Sequence, residues 1–210
     1  MPVNENVTPL GSIPLYVSED VRPLTMQERA CLEALPEKLT SGGGQNYITQ
    51  NKQILDLPEM ASFKQIMSSY LNHYTNNVLK LNTNFYITDS WSTRNPKGTW
   101  HTPHKHPNSI FSGIYYVDIE SGDLEFLFES QYSKTFKFNY NIKEYNTLNS
   151  TSWTLGPKPG LMVIFPSWVD HSVTPNLHNA DRRMIGWNSF VDDKFGDDDA
   201  VDNLTVKGPK

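Results

Sequence analysis

The feature that most constrains this chain is a change of pattern near residue 80. Beyond Lys80 the sequence breaks into short runs rich in β-branched and aromatic residues, each closed by turn-forming residues. These runs are Phe85 to Thr88, Trp100 to Thr102, Phe111 to Ile119, Leu124 to Glu129, Thr135 to Tyr140, Ser152 to Leu155, Leu161 to Phe165, His171 to Thr174 and Met184 to Val191. Asn95-Pro96-Lys97-Gly98, Ser121-Gly122-Asp123 and Gly156-Pro157-Lys158-Pro159-Gly160 supply the turns between them. A series of this kind closes into a β-sandwich or barrel.

Ahead of it the spacing is helical. Leu24 to Leu39 reads as a helix opened by the capping box Thr25-Met26-Gln27-Glu28 and ended by Ser41-Gly42-Gly43-Gly44. Pro58 and Glu59 open a second helix, and Met60, Phe63, Ile66, Met67, Tyr70, Leu71, Tyr74 and Val78 form one stripe that packs as core. Before both helices, Pro9 to Val17 is an apolar strand that Pro14 confines to a sheet edge. The expected organisation is a single domain over 1–196, with a helical part at about 20–80 and a β core at about 81–193. An acidic flexible tail over 197–210 follows, opening on Asp197, Asp198 and Asp199.

Composition narrows the class. Aromatics at 12% and charged residues at 20% belong to a chain with a packed core. A net charge of -5 gives no basic footprint, which disfavours nucleic acid as a partner. The single Cys31 excludes an intrachain disulfide framework and a cysteine-rich zinc site. No apolar run reaches the roughly 20 residues that span a bilayer, and Met1 to Leu10 lacks the basic-then-apolar start of a signal peptide. The expectation is a cytoplasmic protein without a membrane partner.

The histidines carry the chemistry. His101, His104 and His106 precede the run Phe111 to Ile119, and His171 follows the run Leu161 to Phe165. Residues two apart in extended chain point the same way, so His104 and His106 can approach one ion. His171 stands where a barrel strand ends near the same mouth. Two near ligands and one far ligand on facing strands make a metal site that keeps positions open for other molecules. His178, in a polar loop, reads as exposed.

His104-Lys105-His106-Pro107-Asn108-Ser109, Ser112-Gly113-Ile114-Tyr115-Tyr116-Val117, Pro159 to Ser167, His171 and Arg182 to Asn188 together resemble the 2-oxoglutarate and Fe(II)-dependent oxygenase superfamily. The likeness is greatest to the small oxygenases common in marine phages, distant relatives of the prolyl hydroxylases. Ile13-Pro14-Leu15-Tyr16 and Ile54-Leu55-Asp56-Leu57-Pro58 extend it into the N-terminal half. The resemblance implies a mainly β fold, a double-stranded β-helix of jelly-roll type with flanking helices. It implies Fe(II) as cofactor, 2-oxoglutarate as co-substrate, molecular oxygen, and a small molecule or peptide whose C–H bond is oxidised. A phage-encoded enzyme of this kind would act in the host cytoplasm.

By the same resemblance His104 takes the first metal-ligand position and His171 the distal one, while His106 stands where the superfamily has a carboxylate. Either His106 is itself the third ligand, or Asp118 or Asp123 reaches the metal and His106 orients its neighbours. Arg182 matches the arginine that anchors 2-oxoglutarate, with Arg183 one register step away, and Tyr116 is a candidate hydroxyl donor to the same carboxylate. Two other readings stay open. One is a cupin-like metalloenzyme that makes no use of 2-oxoglutarate. The other is a non-catalytic β-sandwich binding module that stacks ligands on Trp91, Trp100, Trp153, Trp168 and Trp187.

Overall fold

The computed structural model describes residues 13–40, 44–120, 122–127, 141–146, 149–192, 194–196, 201 and 203–208. Its strands are β1 (Tyr16–Ser18), β2 (Glu37–Leu39), β3 (Tyr47–Thr49), β4 (Phe85–Asn95), β5 (His101–His104), β6 (Phe111–Asp118), β7 (Leu124–Leu127), β8 (Ser152–Leu155), β9 (Met162–Pro166), β10 (Asp170–Val173), β11 (Arg182–Val191), β12 (Lys194–Phe195) and β13 (Leu204–Thr205). Its α-helices are α1 (Met26–Ala34) and α2 (Ala61–Asn72). Seven strands form one sheet in the order β1-β9-β6-β11-β4-β3-β2, and four form another in the order β5-β10-β7-β8. All these ladders are antiparallel. With helices against one side of the larger sheet, this is the expected double-stranded β-helix.

Strand alternation divides the apolar residues between two cores. Tyr115, Val117, Met162, Ile164, Ile185 and Trp187 face outward from the large sheet and bury Phe63, Met67, Leu71 and Tyr74 of the helical layer. Tyr116, Val163, Phe165 and Met184 face the other way and meet Phe126 and Val173 of the small sheet. The helical stripe is therefore core, as its spacing predicts, except that Val78 is half exposed. Its helix also begins with a 3₁₀ turn at Pro58–Met60 and ends in a π turn at His73–Val78.

Glycine and tryptophan sit opposite one another on each face of β11. Gly113 of β6 pairs with Trp187, and a Cβ on that glycine would lie 2.2 Å from the indole. Gly186 pairs with Trp91 of β4, where a Cβ would come within 2.8 Å of the ring. Each indole lies flat over backbone because the facing residue has no side chain.

Several boundaries depart from the sequence reading, among them the start of β11, which lies at Arg182 rather than Met184. The first helix stops at Ala34 rather than Leu39, because Pro36 pushes Leu35 into extended backbone at φ -71° and ψ 134°. The chain then enters β2. Strand β4 runs to Asn95, seven residues past the expected Thr88. Its second half is polar, but Ser90 Oγ accepts from the Leu55 N–H at 2.9 Å, and Arg94 donates to Glu37 at 2.7 Å and Asp181 at 2.8 Å. Those partners hold a strand that hydrophobic alternation does not announce. Strand β5 begins one residue late and ends at His104, so His106 lies beyond it. The expected strand Thr135 to Tyr140 lies outside the described residues, as do Asp197 to Asp199 of the acidic tail. Further along that C-terminal stretch, β13 pairs with β12, and the Gly208 N–H donates to Asp192 Oδ1 at 2.7 Å.

The capping box forms as predicted. The Glu28 N–H donates to Thr25 Oγ1 at 3.2 Å, and Glu28 Oε2 accepts from the Thr25 N–H at 2.7 Å. Glu28 is buried and also receives both ends of the Arg22 guanidinium at 2.7 Å, which with the Thr25 N–H holds its carboxyl below the usual carboxylate range. A depressed folded pKa contributes stability that is complete above the unfolded value and disappears as pH falls through the folded one. Glu28→Ala is therefore expected to cost about 2 kcal/mol at neutral pH. Urea denaturation checks this, and the gap from the parent protein should close in acid.

Candidate metal centre

His104 closes β5 and stands opposite His171 of β10 in the small sheet. His106 reaches the same place by another route. Its backbone N–H donates to Ser167 O at 3.0 Å, which pins the segment after β5 against the turn that follows β9. The expectation that alternation along one strand aims His104 and His106 together is thus corrected: a hydrogen-bonded turn does it. Nitrogen atoms of His104, His106 and His171 all lie within 4.8 Å of one another, the one such cluster of metal-ligating side chains among the described residues.

Each ring is oriented by its Nδ1. His104 Nδ1 lies 2.8 Å from Thr102 O and His171 Nδ1 lies 3.1 Å from Val169 O. A carbonyl oxygen only accepts, so both Nδ1 atoms carry the proton and both Nε2 atoms present a lone pair. His106 Nδ1 lies 2.7 Å from Asn188 Oδ1, which also accepts from Ser112 Oγ at 2.9 Å. Ser112 continues to Ser167 at 2.8 Å, and Ser167 to Ser109 at 2.7 Å. His106 and His171 then face each other through Nε2 atoms 3.2 Å apart. Converging lone pairs at that distance repel unless a cation lies among them, and this donor set suits iron, zinc, copper or nickel.

Burial keeps the rings neutral. Desolvation pushes His106 down to about 4, with His104 adding to it, and holds His171 well below its ordinary value. His104 is lowered for the same reason. His101, stacked on His104 with ring centroids 4.2 Å apart, is pushed down to about 3 by burial and by its histidine neighbours. Neutral imidazole is the form that ligates.

The cluster opens on a small cavity of about 30 Å³ that reaches solvent, walled by Trp91, Thr93, His101, Ile114, Val173, Met184 and Gly186. Trp91 stacks on His106 at 5.6 Å, in the space left by Gly186. Trp187 is fully buried in the helix-side core, while Trp100, Trp153 and Trp168 are exposed, so the five tryptophans do not form one stacking surface.

Neither candidate acid joins the cluster. Asp118 receives both ends of the Arg29 guanidinium, at 2.8 and 3.0 Å. Asp123 acts electrostatically on Tyr116 and Arg182 instead. The two arginines separate by strand alternation. Arg183 faces the outer side and donates to Glu37 at 3.0 Å. Arg182 shares the inner face with Met184 and Gly186, is fully buried, and donates to Thr174 O at 3.0 Å. Tyr116 is also fully buried on the inner face, and burial raises its pKa. Its neighbour Tyr115 points outward and donates to Arg22 O at 3.1 Å.

Sequence reasoning gave no role to Asn188, and named Trp91 only as one of five tryptophans of a ligand-stacking surface. Counting forward by twos from Arg182 through Met184 and Gly186 leads to Asn188, so period-two spacing was the available signal. Asn188→Leu removes the acceptor that fixes the His106 tautomer. It is expected to weaken divalent metal binding about 10- to 100-fold while the fold persists, as read by competition with a chromophoric chelator.

Residues 89–188 match the model of a family described as "Putative 2OG-Fe(II) oxygenase". No curated protein matches the sequence. Among solved structures, a prolyl-4-hydroxylase of Pseudomonas putida is similar at 15% identity and a TM-score of 0.56, over 84% of this chain and 92% of that one. HygX of Streptomyces hygroscopicus, solved with nickel, 2-oxoglutarate and hygromycin B, is similar at 14% identity and a TM-score of 0.57, over 84% and 82%. The viral collagen prolyl hydroxylase of Paramecium Bursaria Chlorella virus-1 is similar at 9% identity and a TM-score of 0.50, over 83% and 94%. These likenesses give the fold, and the segment that matches the family model contains all three histidines of the cluster.

Proposed function

We propose that the chain is an Fe(II)- and 2-oxoglutarate-dependent dioxygenase that hydroxylates a C–H bond of a small molecule or peptide. His104, His106 and His171 hold the iron through Nε2, and Arg182 and Tyr116 hold the far carboxylate of 2-oxoglutarate. The observation that carries this reading is the convergence of three tautomer-fixed imidazoles on a cavity whose sheet also turns a buried guanidinium inward. Iron bound there supplies oxygen activation coupled to the oxidative decarboxylation of 2-oxoglutarate.

The chain's own residues prepare that chemistry. Three Nδ1–H donations hold the rings before any ligand arrives, so little reorganisation accompanies binding. His106 in place of a carboxylate leaves the ligand set uncharged, and the retained positive charge of the ion favours an anionic co-substrate. Burial lowers the Arg182 pKa, yet a guanidinium stays charged and offers a fork that matches a carboxylate. Burial keeps Tyr116 protonated, so its O–H can donate. Ile114, Val173, Met184 and the Trp91 ring give the cavity apolar walls that exclude water and position an aliphatic group. The reading extends to a phage-encoded enzyme of the host cytoplasm, a reducing compartment that suits a chain with a single cysteine.

Anaerobic visible absorption tests the assignment. A metal-to-ligand charge-transfer band is expected only when both Fe(II) and 2-oxoglutarate are added. It should vanish in His171→Ala and need a higher 2-oxoglutarate concentration in Arg182→Met. Tight Fe(II) binding with no band at saturating 2-oxoglutarate would instead identify a cupin-like metal site that makes no use of this co-substrate.

A further inference from the structure

Asn95 is the last residue of β4 and stands opposite Arg182 in the β4–β11 ladder. Trp91 and Thr93 of the same strand line the cavity, so alternation turns Asn95 to the same inner face. The side chain is completely buried, and neither its Nδ2 nor its Oδ1 has a hydrogen-bond partner among the described residues. Its backbone is satisfied, since Asn95 O accepts from Asn176 Nδ2 at 2.9 Å. Tyr116, which acts electrostatically on Arg182, has a buried hydroxyl that likewise lacks a partner.

Buried polar atoms in folded proteins are almost always paired, so an unpaired carboxamide and an unpaired hydroxyl on the two strands that flank Arg182 point to a ligand. Two neutral donors beside a fixed cation suit a carboxylate, which only accepts. Asp123 is the described acid acting on Arg182 and Tyr116, and it is half exposed rather than enclosed with them. We propose that Asn95 is a co-substrate-binding residue that sets selectivity: its carboxamide N–H donates to the far carboxylate of a 2-oxo dicarboxylic acid beside Arg182. The buried amide thereby discriminates against 2-oxo acids with an apolar tail, which would leave it unpaired. This inference rests on the 2-oxoglutarate reading of the cavity.

The test uses zinc-loaded protein, which binds without turning over, and calorimetric titration with 2-oxoglutarate and with 2-oxopentanoate, whose chain is equally long but ends in a methyl group. Asn95→Leu is expected to weaken 2-oxoglutarate about 10- to 100-fold while 2-oxopentanoate is held equally well or better. Zinc affinity should not change. The Tm of the ligand-free variant should rise, because unpaired polar atoms leave the interior, whereas a structural role would lower it. Asn95→Asp, equal in size, should weaken 2-oxoglutarate further by setting carboxylate against carboxylate. An unchanged preference for 2-oxoglutarate in both variants overturns the role of Asn95. If Arg182→Met also leaves 2-oxoglutarate affinity unchanged, the co-substrate reading itself falls; if only Arg182→Met weakens it, the failure is confined to Asn95.

Discussion

The hydrogen-bond ladder that clamps β11 between β4 and β6 sets where the inner side chains of the large sheet stand. Along one face of that strand come Arg182, Met184, Gly186 and Asn188, which supply in turn a fixed cation, an apolar wall, room for the Trp91 ring and the acceptor that orients His106. A slip of one residue would turn all four outward and bring Arg183, Ile185 and Trp187 in. The apolar pattern forbids it, because Ile185 and Trp187 are completely buried in the helix-side core. The packing of the helices therefore fixes the spacing of a site on the opposite side of the sheet.

The small sheet contributes what the large one lacks. His104 and His171 face each other across β5 and β10, and their Nδ1 atoms are satisfied by carbonyl groups two residues away in sequence. His106 has no such local partner. Its acceptor comes from the large sheet, through Asn188 and a file of serine hydroxyls. The third imidazole thus ties the two sheets together across the mouth of the barrel, and its orientation depends on both.

Much of this was legible in the sequence, for reasons tied to particular residues. The helical stripe from Met60 to Tyr74 and the runs Phe111 to Ile119 and Ser152 to Leu155 carry strong periodicity, and their elements match closely. The Thr25 and Glu28 capping box is a local interaction, readable without the fold. The second half of β4 was not legible, because Ser90 to Asn95 is held by side-chain partners distant in sequence. The helix boundary at Ala34 was available from Pro36 and was overridden by the apolar spacing beyond it. The three clustered histidines were named from their positions, but the means of convergence was not: His106 is aimed by a hydrogen bond to Ser167 O, a long-range contact with no signature in spacing. Choosing between Arg182 and Arg183 required the register itself.

The adjacent pair Gly186 and Trp187 has a consequence for how such a protein can change. One residue makes room for the indole that backs His106, and the next fills the helix-side core over Gly113. Two neighbouring codons thus serve opposite faces of the sheet, and recombination has little chance of parting them. Variation that reshapes the reaction chamber has to come from the loops and from the small sheet, while this dipeptide is inherited as a unit in which loss of structure and loss of chemistry coincide.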